Sequence, residues 1–441
     1  MIAAPMTLPP PMRPCPAVVA VSMGYGHLRA AHALATAWDA PVLHADRAPL
    51  AGPAERHTWD RMRTFYEALS RGTGKPVVGG LLRSALDRLT AIPRPAPADA
   101  QRAPSMAARH LANLMDDGFG AGLVTSLRES GATLVATFYA PAIVADAAGI
   151  DPVVCVVTDS DVNRVWVPLD ATKTRIHYAA PTARACRRLR AYGVPAERIR
   201  RTGFPLPPEL TGGADLALAL ASLGARLRRL DPRGVFRRDA PASARSLGDA
   251  ADDGRPAGPP RITFAVGGAG AQREVAQRLV RALREPVARG ELALTLVAGT
   301  REDTDRALRR YADDAGLVPQ DGGALEVLHE PDFAAYAARF HARLATTDLL
   351  WTKPSELTFF AALGIPLAFA RALGVHERSN AAWATRRGAG LDPGDPRGAA
   401  RWVRDRLDDG TLARAAWAGL TRLPTRGTER IGDFVAAVRA R

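Results

Sequence analysis

Lysine is almost missing from this chain. Of 59 basic residues among 441, only Lys75, Lys173 and Lys353 are lysines, and that skew, beside abundant alanine and 35 prolines, is the mark of a GC-rich coding sequence. No long block of like charges occurs, and aromatic residues are held to 6%, too few for the stacking platforms that grip single-stranded nucleic acid. The formal charge of +14 is therefore read as a match for a small anionic partner, a sugar nucleotide or a lipid headgroup, and not for nucleic acid. Cysteine is scarce too. Cys15, Cys155 and Cys186 have neither an even count nor zinc spacing, which excludes a disulfide framework and a cysteine metal site and fits a reducing cytoplasm. No run approaches the ~18 apolar residues of a membrane span. The opening MIAAPMTLPPPMRPCP lacks the charged-then-apolar order of a signal peptide, so any membrane contact is expected to be peripheral.

What is present is the balance of an ordinary globular chain, 47% apolar and 24% charged, long enough for two large domains. From Ala17 the text reads AVVAVSMGYGHLRAAHALATAW: a short β-branched run, a glycine turn, then apolar residues at helical spacing. Further strand-like runs follow at PVLHA, ATLVATF and DPVVCVVTD, with helical stretches at 57–70 and 107–130 between them. The same logic restarts at Arg261 with RITFAVGGAGAQREVAQRLVRAL and continues through LALTLVAGT, ALEVLHE, DLLWTK and IPLAFA. Alternating strand and helix predicts two α/β, doubly wound, Rossmann-like domains, over 1–205 and 261–424. Between them, 206–260 is expected to hold one helix at 214–230 and a low-complexity loop. The chain from Thr411 looks helical, and a helix at about 425–441 is expected to pack back on the first domain.

Four stretches carry candidate chemistry. Gly24-Tyr25-Gly26-His27 lies at a strand-to-helix turn, where glycines let backbone approach a ligand and a helix dipole disfavours protonated histidine. His27 is thus a candidate neutral base, or else a plain helix-capping residue. Gly267, Gly268, Gly270, Ala271 and Gln272 occupy the equivalent turn of the second domain, a seat for a diphosphate or a turn that only packs helix on strand. The motif is not the GxGxxG pattern with its acidic residue about 20 positions on, so a dinucleotide cofactor is poorly supported. Lys353, Ser355, Glu356, His376, Glu377 and Asn380 fall at strand C-termini, the edge where open α/β sheets bind ligands. Glu356 suits ribose hydroxyls, Glu377 and Asn380 suit sugar hydroxyls, and His376 suits the sugar; otherwise 352–356 is a helix cap. Phe359, Phe360 and Leu363 are read as core. Finally, VTDSDVNRVW brings Asp159, Asn163 and Trp166 to the end of a central strand of the first domain.

Taken together, these stretches resemble the two-domain GT-B glycosyltransferases, in the branch of the lipid II N-acetylglucosaminyltransferase and the diacylglycerol glycosyltransferases. GYGHLRAAHAL is similar to the family's GGGHxxxA turn, AVGGAGAQ stands at its second glycine loop, and 157–208 follows its pattern VTD, Trp, Tyr-x-x-Pro, TGxP. HTWDRMRTFYEALSRGTGKPVVGGLLRSALDRL is similar to its lipid-facing part. Two positions depart from it. Asn163 stands three before Trp166 where lipid enzymes carry histidine, and the residue seven before Pro366 is Phe359, with Glu356 three residues earlier. The resemblance implies transfer of a sugar from a nucleoside diphosphate sugar, UDP-linked by expectation, to a hydroxyl acceptor, a lipid among the candidates. It implies inversion, no cofactor and no metal, Asp159-Ser160-Asp161 being a DxD pattern of another architecture. His27 is the implied base and Asp159 the next candidate. Gly24, Tyr25, Gly26, Asn163 and Trp166 are placed on the acceptor side, and contact with an anionic membrane at its cytoplasmic face is expected. A nucleotide-sugar 2-epimerase of the same fold and a non-catalytic nucleotide-sugar-binding scaffold are the alternatives. The oligomeric state is left open.

Overall fold

The computed structural model describes residues 16–72, 97–245, 258–265, 272–372 and 374–440. Two six-stranded parallel sheets form its frame. The first contains β1 (Ala17–Ala20), β2 (Val42–His44), β3 (Leu134–Ala136), β4 (Val153–Val156), β5 (His177–Ala180) and β6 (Ile199–Arg201), in the order β2-β1-β3-β4-β5-β6. The second contains β7 (Arg261–Ala265), β8 (Ala293–Gly299), β9 (Leu325–His329), β10 (Leu349–Thr352), β11 (Leu367–Phe369) and β12 (Gly390–Leu391), in the order β12-β11-β10-β7-β8-β9. Counted from its own first strand, the second order is 3-2-1-4-5-6, that of dinucleotide-binding sheets. β3 and β4 are buried along their whole length, as strands covered by helices on both faces must be.

Strand order fixes where a ligand can sit. Each sheet reverses direction of assembly once, between β1 and β3 and between β7 and β10, with Val18 beside Val135 and Trp351 beside Phe264 in register. Crevices open at the C-terminal ends of the strands at such points. The helix Tyr25–Trp38 grows from the first crevice. Its alanine-rich sequence favours helix, and Leu28, Ala31, Leu34 and Ala35 bury its sheet-facing side in a core shared with Val18, Val135 and Val154. The same core receives Ile431, Phe434, Val435 and Val438 from the last helix, Gly427–Arg439, so the C-terminus closes over the first sheet. Phe204, where the chain leaves that sheet, stacks on Phe359 of the second domain at 4.8 Å between centroids. Phe359, Phe360 and Leu363 are core residues, as their spacing predicts.

Several elements differ from the sequence expectation. β5, β6 and β12 have no strand-like run of their own. The predicted helix at 107–130 is two, Met106–Asp116 and Ala121–Ser130; the helical stretch from Thr411 is Thr411–Arg422, separated around Pro424 from the last helix, Gly427–Arg439, which agrees with the helix expected at about 425–441. The segment after β10 becomes a 3₁₀ helix, Glu356–Leu363, entered through Ser355 without a side-chain cap. Cys155 and Cys186 are free and buried; Cys15 lies outside the described residues.

Candidate functional site

The crevices of the two sheets face one another across a cavity of about 840 Å³. Its first-domain wall begins where β1 ends. Gly24, at φ 147° and ψ 157°, holds a conformation that costs a side-chain-bearing residue dearly and starts the helix at Tyr25. Gly26 is closely packed: a Cβ there would stand 3.3 Å from both the Cβ and Oε2 of Glu356. The glycine turn of one domain is thus pressed against the 3₁₀ helix of the other.

His27 is half-buried at this turn. Its Nδ1 lies 2.8 Å from the carbonyl oxygen of Thr137, at the end of β3, and 3.2 Å from Oγ1 of Thr158, beyond β4. A carbonyl only accepts, so Nδ1 carries the proton and donates, which leaves Nε2 as the basic nitrogen. The Thr137 hydroxyl in turn donates to the His27 carbonyl at 2.9 Å, and the imidazole packs edge-on to Phe138 at 4.6 Å. Burial lowers the His27 pKa; the Thr137 carbonyl and the charges of Asp159 and Glu356 oppose that lowering without cancelling it. The result is a fixed, neutral imidazole.

Of the residues singled out from the sequence, Gly24, Tyr25, Gly26, His27, Asp159, Lys353, Ser355, Glu356 and His376 line this cavity. Several of the residues singled out are held by other protein groups. Lys353 donates to Glu377 at 3.1 Å. Asn380 is fully buried and bridges the domains, its Oδ1 accepting from the Ser160 amide at 2.9 Å and its Nδ2 donating to Asp159 and the Pro354 carbonyl, each at 3.2 Å. Asp161 turns away and is held by Arg184 at 2.6 Å and Arg188 at 3.2 Å. Trp166 is buried behind His27, 6.2 Å between rings, with its carbonyl accepting from Tyr178, and Asn163 Oδ1 is buried without a partner among the described residues. Gln272 takes a left-handed backbone at φ 68° and donates its side chain to the Arg371 carbonyl at 2.6 Å. Gly267, Gly268, Gly270 and Ala271 lie outside the described residues.

Sequence reasoning missed a charged residue set deep in this interface. Arg29, 2% exposed, crosses from the first domain to ion-pair with Glu356 and to donate to the Tyr336 hydroxyl. Its guanidinium carbon lies 5.2, 5.6 and 5.0 Å from the ring centres of Tyr25, Tyr336 and Phe340. Burial works against its charge, but Tyr336, Glu356 and Tyr25 together raise its pKa. A signal was available: Tyr25, Arg29, His32 and Thr36 stand at i, i+4, i+7 and i+11, one stripe of a helix, and that stripe meets the second domain. Tyr25 accepts from the Thr300 amide at 2.8 Å, and His32 packs on Phe333 at 5.0 Å. Arg47, Arg63 and the pair Arg301–Glu67 complete the outer wall of the cavity.

No protein-family model and no curated protein matches the chain. Among solved structures it is similar to the S. aureus MnaA–UDP co-structure, with a TM-score of 0.51 at 13% identity over 97% of this chain and 96% of that one. It is also similar to the glycosyltransferase SnogD from Streptomyces nogalater, with a TM-score of 0.45 at 16% identity over 96% and 99% of the two chains. The UDP-GlcNAc 2-epimerase from Neisseria meningitidis bound to UDP-GlcNAc gives a TM-score of 0.43 at 10% identity over 79% and 84%. At such identities the likeness is one of fold. The whole-chain similarity to the first agrees with the arrangement described above, two Rossmann-like domains across a cleft, which is the GT-B fold.

Proposed function

We propose that this protein is a glycosyltransferase that moves a sugar from a nucleoside diphosphate sugar, UDP-linked in the first instance, to an acceptor hydroxyl with inversion. The observation that carries the reading is His27: its Nδ1 is committed to Thr137, its Nε2 is left basic, and it lines the same cavity as Lys353, Ser355 and His376 of the facing domain. In this scheme the acceptor hydroxyl loses its proton to Nε2 as its oxygen attacks the anomeric carbon and the bond to the nucleoside diphosphate breaks. Asp159, beside His27, favours the imidazolium that forms. The leaving diphosphate is assigned to the glycine-rich sequence that precedes the helix Arg273–Ala288, because a helix N-terminus favours an anion. Gly268→Val tests that seat: it should weaken nucleotide binding by about 2 kcal/mol, the scale of lost charge-assisted hydrogen bonds, and unchanged binding by a folded variant places the diphosphate elsewhere.

The acceptor is assigned to the first-domain side of the cavity, with a lipid as the candidate class. Among the described residues no helix is long and apolar enough to cross a membrane, while Phe65 is 60% exposed on the helix Pro53–Gly72, an anchor for a peripheral contact with an anionic bilayer. The test is incubation with UDP-sugars, with and without hydroxyl acceptors, followed by product analysis. Sugar transfer to an acceptor is the expected result. Isomerised nucleotide sugar formed without acceptor identifies an epimerase, and donor binding without turnover on any acceptor identifies a scaffold.

A further inference from the structure

Glu356 is placed as a ligand-binding carboxylate. It follows β10 at the reversal point of the second sheet, lines the cavity, and as an acceptor-only group suits vicinal hydroxyls. Yet its Oε1 is already taken by Arg29, and the space between its side chain and Gly26 is too tight for an added Cβ. The grip is incomplete. Two guanidinium nitrogens are bonded, but Arg29 Nε is buried without a partner among the described residues. Opening the bridge leaves a buried guanidinium without its carboxylate, which is costly unless other groups hold that charge. The three rings around the guanidinium give it a resting place that does not depend on Glu356.

We propose that Arg29 is an internal competitor for the donor: it holds the Glu356 carboxylate that the hydroxyls of a nucleoside diphosphate sugar use, so that ligand binding requires this interdomain bridge to open. The proposal rests on the reading of the cleft as a nucleotide-sugar site. Its consequence is quantitative, since the apparent dissociation constant is the intrinsic one divided by the fraction of molecules with Glu356 released. A bridge closed in about nine molecules of ten weakens binding roughly tenfold.

Two variants relieve the competition from different sides. Arg29→Met keeps the apolar stem against the rings and removes the charge; Tyr336→Phe removes one acceptor of the guanidinium while leaving both charges and the core volume. Calorimetric titration of wild type and both variants with UDP, with ADP, GDP and dTDP alongside, reads the effect. Arg29→Met should bind its nucleotide about tenfold more tightly than wild type, and Tyr336→Phe more tightly by a smaller factor. Binding that is unchanged or weaker in both folded variants overturns the proposal, because a structural or ligand-holding arginine gives that result; the nucleotide-site reading then survives. If Arg29→Met does not fold, Tyr336→Phe decides alone. If none of the three proteins binds any of the nucleotides, the competitor and the nucleotide-site reading fall together.

Discussion

A single imidazole carries most of the chemistry assigned to this protein, and its surroundings set its acid–base behaviour. Burial holds the His27 pKa below its ordinary 6.5. The folded state therefore prefers the neutral ring, and between the depressed value and 6.5 the unfolded chain binds more protons, so this group's contribution makes stability rise with pH across that window. Activity follows the same sign: turnover should climb through one ionisation below 6.5 and be level above it. Side-chain NMR of the histidines, with the His27 signal assigned by its loss in His27→Ala, should show the ring titrating below 6.5. A ring titrating above 6.5 contradicts the burial argument. The place of His27 at the ligand-facing turn, though not its role, was legible from the glycines beside it. Arg29, two residues on, was not, because an arginine in an amphipathic helix is ordinarily solvated, and only the packing of the second domain makes it buried.

Helix packing around the 3₁₀ segment Glu356–Leu363 shows how tightly the site is backed. The helix Thr411–Arg422 crosses this segment so closely that a Cβ on Gly419 would lie 2.1 Å from the Ala361 carbonyl oxygen. Gly419→Ala should destabilise by about 1–3 kcal/mol, as overpacking does, and lower the melting temperature. Gly432, in the last helix, is the control: its added Cβ would meet Trp38 Nε1 at an ordinary 3.5 Å, so Gly432→Ala should be neutral or stabilising by up to ~1 kcal/mol through helix propensity. Equal effects of the two substitutions contradict the packing described. Elements of this kind were unevenly legible. β4, VVCV, announces itself by an apolar run; β5, HYAA, and β6, IRR, do not. They are strands because β4 offers β5 a parallel partner and β5 offers one to β6, a tertiary cause that local propensity does not encode.

Across the whole molecule, the duplicated pattern of strand, glycine turn and helix was enough to predict two Rossmann-like domains, because each copy must bury its own sheet. The contacts between the copies were not readable. Asn380 reads as a polar residue near a strand end, and becomes a bridge to Ser160 and Asp159 only when the domains face each other. Many of the arginines are neutralised in ion pairs, such as Arg229 with Asp348 and Arg339 with Glu326 and Glu330, so the composition behind the net charge of +14 did not by itself locate a basic site. The central claim is that this cleft transfers sugar with His27 as base. The most direct measurement is single-turnover transfer from a bound UDP-sugar by wild type and His27→Ala, with donor affinity measured on the same samples. The account predicts donor binding within about twofold of wild type and a transfer rate lower by at least 100-fold, the low end for a positioned general base. Transfer at nearly the wild-type rate by folded His27→Ala contradicts it and moves the base to Asp159.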